Sequence, residues 1–86
     1  MALSTSLETL TENWTEVGAG ATRFIAQVNS VAPVGIHVGA AMPGTDAPQI
    51  VLDCAGESSI ALDQMDGEKI YARALRSSAT LTVIRG

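Results

Sequence analysis

Cysteine, histidine, aromatic side chains and positive charge are all scarce in this 86-residue chain, and each scarcity excludes a class of function. A single cysteine, Cys54, closes no internal disulfide, and with one histidine, His37, the chain holds no zinc-ligand set. The five basic residues, Arg23, Lys69, Arg73, Arg76 and Arg85, form no run in a chain of net charge −4 and pI near 4.6. The concentrated positive charge that a phosphate backbone requires is missing, so no nucleic acid is expected as a partner. No apolar stretch approaches the roughly 18–20 residues of a membrane span, and no membrane association is expected. The opening MALSTSLETL lacks the basic region and apolar segment of a signal peptide. The chain is therefore expected in the cytosol where it is made, or in a particle that leaves it.

What is abundant is apolar material: 47% of the residues are hydrophobic against 16% charged, with mean hydropathy +0.25. A chain of this length forms one domain and buries only about 60–65% of its unfolded surface. That is more apolar side chain than a small core hides, which points to burial against further copies or a larger partner. With neither disulfide nor metal to staple it, oligomerisation is the expected compensation.

The stretch VGIHVGAAMPGTDAP, Val34 to Pro48, organises the reading. Val34, Ile36 and Val38 alternate with Gly35, His37 and Gly39, the period of a strand with one face on a core. Glycines leave the other face nearly bare, which suggests that another backbone or a packed ring approaches there. Pro43, Gly44, Asp46 and Pro48 then predict an ordered loop.

Residues 1–6 are expected to be a flexible or docking arm, and 7–86 one domain. Ser6 to Trp14 fits either helix, from the spacing of Leu7, Leu10 and Trp14, or strand, which its threonines and shortness favour. Gly18 to Gly20 predicts a turn. Thr22 to Asn29 alternates Phe24, Ala26 and Val28 with Arg23, Ile25 and Gln27, and is expected to form an antiparallel hairpin with Val34 to Ala40. Gln49 to Leu52, Ser59 to Leu62, Lys69 to Ala74 and Thr80 to Ile84 complete the strands, with DCAGES and Asp66-Gly67 as turns. The predicted fold is all-β, a small sandwich or barrel of six to eight mostly antiparallel strands.

Chemistry is sparse. His37 and Cys54 could form a nucleophilic dyad, but DCAGES matches no nucleophile signature, and a lone cysteine is usually a small buried hydrophobe. The carboxylates Asp46, Asp53, Glu57, Asp63, Asp66 and Glu68 sit at turns without calcium-loop spacing, where aspartates usually cap their own backbone. Gly18-Ala-Gly20 has neither the lysine of a phosphate loop nor a full dinucleotide fingerprint. No enzyme, metal or cofactor is expected. Tyr71, between Lys69 and Arg73, reads as a cross-strand packing pair or a subunit contact, its neighbours' stems packing around it. Gly35, His37, Gly39, Pro43, Asp46, Tyr71 and Arg73 are the candidate subunit or partner interface.

Four pieces in order, Trp14-Thr-Glu-Val17 before a glycine turn, the strand ending His37-Val-Gly39, the loop Pro43 to Pro48 with its Asp-Ala-Pro, and Lys69-Ile-Tyr-Ala-Arg-Ala74 before an alternating last strand, resemble a group of small tailed-bacteriophage structural proteins. The resemblance implies a virion component with a β-sandwich fold, foremost a capsid decoration (cement) protein. Such a protein would sit as homotrimers on the major capsid protein at the capsid surface after synthesis in the bacterial host cytoplasm. The alternatives are a tail or fibre domain, or a carbohydrate-binding host-attachment module using Trp14 and Tyr71, although Trp14 fits the core better. The family has no catalytic residue to carry over.

Overall fold

Alternation of side chains along short β-branched segments dictates strands, and strands with one apolar face must pair and stack. A computed structural model describes residues 4–19, 23–44, 46–63 and 68–85. It contains β1 (Ser4–Leu10), β2 (Thr15–Ala19), β3 (Phe24–Val28), β4 (Val34–Gly39), β5 (Ile50–Leu52), β6 (Ser59–Leu62), β7 (Lys69–Ala74) and β8 (Ala79–Arg85). They form two four-stranded sheets, β1-β8-β3-β6 and β2-β7-β4-β5, in which every pairing is antiparallel. The fold is the all-β sandwich that the alternation predicts.

The core lies between the sheets. Phe24, Ala26 and Val28 of β3 and Ala79, Leu81 and Val83 of β8 are buried on one side; Val34 and Ile36 of β4, Leu52 of β5 and Ile70, Ala72 and Ala74 of β7 on the other. At one end Arg85 donates to the Val17 carbonyl and, at 3.2 Å, to Ser6 Oγ, and lies 3.7 Å from Glu8. The accessible surface of 4920 Å² matches the roughly 4,800 Å² expected for a folded monomer of this mass. One copy thus closes its own core, and the apolar excess appears as large hydrophobics left outside, among them Leu7, Ile25, Val31, Met42 and Ile50.

Three local expectations change. Phe24–Val28 and Val34–Gly39 form no hairpin, because β3 and β4 belong to different sheets. The link between them is pinned at both ends: Asn29 N–H donates to the Thr80 carbonyl at 3.0 Å, and Leu75 N–H donates to the Pro33 carbonyl at 3.0 Å. A short link between alternating strands suits a hairpin and a sheet-to-sheet arch equally, and burying both apolar faces against each other selects the arch. Gly18 is not in a turn but in β2, where the register shifts between Glu16 and Gly18; Gly20 lies outside the described residues. Ser4, Thr5 and Ser6, assigned to an arm, pair with Arg85, Ile84 and Val83 in β1, while residues 1–3 lie outside the described residues. For the segment that fitted helix or strand, β1 gives strand.

Candidate functional site

The outer face of the second sheet is built from the alternate positions that do not meet the core. Register sets Gly35 beside Arg73, His37 beside Tyr71, Gly39 beside Lys69 and Glu16 beside Tyr71. Four of the predicted interface residues, Gly35, His37, Tyr71 and Arg73, thus share one patch, and Gly39 lies at its end. The patch is covered by the chain itself. Trp14, just before β2, donates its indole N–H to the Gly44 carbonyl at 3.0 Å, which fastens the loop between β4 and β5. Arg73 stacks over the indole, its guanidinium carbon 4.4 Å from the ring centroid, and Arg73 Nε donates to Gln49 Oε1 at 3.1 Å.

His37 lies 5.9 Å from Trp14 between ring centroids at a tilt of 58°, and its Nδ1 is 2.8 Å from the Pro48 carbonyl. A carbonyl only accepts, so Nδ1 carries the proton and donates. The loop is thereby tied at its middle, Gly44, to Trp14 and at its far end, Pro48 and Gln49, to β4 and β7. The glycines allow it: a Cβ on Gly35 would overlap Gln49 Oε1, and one on Gly39 would stand 3.1 Å from His37 Nε2. The bare strand face does receive close neighbours, the end of the chain's own loop at Gly35 and the His37 ring at Gly39.

This arrangement shapes a loop and leaves no open platform. Tyr71 is 3% exposed and Trp14 9%, both buried beside the main apolar cluster, so Tyr71 offers almost no side-chain surface to a subunit contact. A sugar platform needs an open aromatic face, and Trp14 is covered by Arg73. Pro43 is half-buried and Asp46 exposed in the loop, where Ala47 N–H donates to the Gly44 carbonyl at 3.2 Å. Sequence reasoning missed Gly44 and Gln49, whereas Trp14 is buried as expected. Alternation assigns a side chain to a face but names no partner, and the one available signal was the pair of glycines on β4, in the sheet that Trp14 adjoins.

Cys54 corrects the expectation of a buried thiol: it is exposed, in the turn between β5 and β6, with Sγ 3.9 Å from the Val31 carbonyl. His37 is at the other end of β4, since Leu52 pairs with Val34 whereas His37 pairs with Tyr71, and the two form no dyad. Asp53 caps its own turn as expected, its Oδ1 accepting from Ala55 N–H at 3.2 Å. Asp66 lies outside the described residues. No group of three or more His, Cys, Asp or Glu among the described residues could hold a metal ion, and among them there is no helix long and apolar enough to cross a membrane.

The outer face of the first sheet differs in kind. Its rows run Leu7, Thr82, Gln27, Ser59 and Thr5, Ile84, Ile25, Ala61 across the four strands. None of these eight residues is charged; the ion pair of Arg23 with Asp63 at 3.2 Å borders the face. Leu7 and Ile25 stand exposed on it. No protein-family model, no curated protein and no solved structure matches this chain.

Proposed function

We propose that this chain is a bacteriophage structural protein, a capsid decoration protein that binds the outside of the head and stabilises the shell. The observation that carries the reading is the uncharged outer face of the first sheet in a chain of net charge −4. A face of hydroxyl, amide and aliphatic groups suits contact with another protein surface, where interface cores are depleted of charge. The acidic remainder disfavours adhesion to DNA. Each copy needs only modest contacts, because many copies on one shell act jointly and add avidity without strengthening any single contact. The resemblance supplies the phage setting, and the self-covered loop on the second sheet leaves the first sheet as the face for the shell.

The test is the copy number of the chain relative to the major capsid protein in purified particles. A simple ratio to the coat protein is expected. A few copies per particle would transfer the reading to the tail or fibres, and absence from particles would overturn it. Ile25→Asp, at a position 42% exposed, should leave the fold intact and abolish rebinding to particles stripped of the protein.

A further inference from the structure

We propose that the free edge of β1 is a self-association surface, on which a second copy of this chain pairs its own β1 antiparallel about a twofold axis through Leu7. The first sheets of the two copies then form one continuous sheet.

Edge strands present unpaired N–H and C=O groups, and proteins normally shorten, bulge or charge them. The two sheets have four edges, β1, β6, β2 and β5. β5 has three residues and follows Pro48; β6 has four; β2 is interrupted by its register shift. β1 has seven residues in unbroken register with β8, and carries no proline, lysine or bulge. Among the described residues, no backbone hydrogen bond outside the ladders begins or ends on Ser4–Leu10. Alternate backbone groups of an antiparallel strand point to opposite sides, so those turned away from β8 are available.

The sequence of β1, STSLETL, is complementary to itself. An axis through its midpoint sets Leu7 against Leu7, Thr5 against Thr9 and Ser6 against Glu8. Leu7, 61% exposed in the single copy, would be covered by its mate. Thr5 and Thr9 would form the cross-strand hydroxyl pairs that sheets favour. Glu8, the one charged residue of the strand, would face a serine, the same donor type that it already meets through Ser6 Oγ at 3.0 Å. Moving the axis to Glu8 would oppose two carboxylates, and moving it to Ser6 would leave Leu7 against threonine. A half-step would set core-facing positions against outward ones. The axis at Leu7 is thus selected by charge and by face together, and the partner it selects is a second copy.

An isologous contact consumes both edges and closes, so it gives dimers without fibres. It pairs a strand with its own symmetry mate, and so gives twofold units where the resemblance implies threefold ones. It does not rest on the capsid reading.

Sedimentation or light scattering of the full chain across concentration should show a dimer, with β1 amides protected from hydrogen exchange. Leu7→Lys and Leu7→Glu should each be monomeric, with dissociation constants raised roughly 100-fold or more by opposed like charges, and mixing the two should restore a dimer. If either fails to fold, Thr5→Lys with Thr9→Glu in one chain should keep the dimer and Thr5→Lys with Thr9→Lys should lose it. A wild-type monomer or trimer, or a dimer indifferent to these changes, would overturn the proposal. Ile25→Asp should leave the dimer intact, which separates failure of this contact from failure of particle binding.

Discussion

Arg73 and Trp14 hold one another in place: the guanidinium carbon lies 4.4 Å from the indole centroid, while the same indole donates to Gly44 and the same arginine to Gln49. Two residues distant in sequence thus fix the middle and the far end of the loop between β4 and β5. A cation over a buried indole is worth about 0.5–2 kcal/mol. A double-mutant cycle of Arg73→Met and Trp14→Leu should return a coupling energy of that size. Trp14→Phe, which keeps a ring and removes the N–H, should cost about 1 kcal/mol for the lost bond to Gly44. Urea midpoints measure all three, and additive losses in the cycle would deny the coupling.

Gly35 and Gln49 compete for one space. A Cβ at Gly35 would overlap Gln49 Oε1, which is the acceptor for Arg73. Gly35→Ala should displace the amide and lower stability by about 1 kcal/mol, the net worth of one such bond. In a Gln49→Ala background the space is vacant, and the same change should become neutral or stabilising, since alanine suits a strand better than glycine. Thermal unfolding of the four chains decides it, and equal losses in both backgrounds would exclude Gln49 as the obstacle.

Strand existence was legible in the residues because a period of two is local. KIYARA announces Ile70, Ala72 and Ala74 as the core face, and the structure buries all three. Sheet membership was not legible, because a link such as Asn29–Pro33 reads the same whether it returns beside its strand or crosses the core. At the candidate site, Gly35 and Gly39 signalled a close neighbour, but its identity depended on how the loop folded back. The burial of Tyr71 on an outward position escaped alternation for the same reason, since it depends on cover from outside the sheet.

Gly18 lies against the core itself. A Cβ there would stand 3.1 Å and 3.3 Å from Phe24 Cδ1 and Cε1 and 3.4 Å from Ile70 Cδ1, and both neighbours are fully buried. Alanine would gain up to about 1 kcal/mol over glycine in a strand, whereas overpacking a closed core costs about 1–3 kcal/mol. The ring has no exposed side toward which to yield, so the cost should win. Gly18→Ala should lower the urea midpoint at unchanged m-value, and Gly56→Ala, with nothing within 4 Å of its Cβ, should not.

The two ion pairs should differ in worth because their surroundings differ. Arg23 and Asp63, at 63% and 64% side-chain exposure, meet across solvent, and such pairs contribute about 0–1 kcal/mol. Arg85 and Glu8, at 32% and 28%, are farther apart, but Arg85 also donates to the Val17 carbonyl and to Ser6 Oγ, joining β8 to β2 as well as to β1. Replacing Arg85 removes the donor for a carbonyl at the bulge of β2 and leaves Glu8 without its cation, and hydrogen bonds to charged groups carry about 1.5–3 kcal/mol. Arg85→Met should therefore destabilise by about 2 kcal/mol and Arg23→Met by less than about 0.5 kcal/mol. Raising the salt concentration should erase the smaller effect and leave most of the larger, because screening acts on the Coulomb attraction of exposed charges and leaves short hydrogen bonds in place. Chemical denaturation in urea at low and high salt measures both differences, and equal losses for the two variants would show that the hydrogen bonds of Arg85 add nothing to its ion pair.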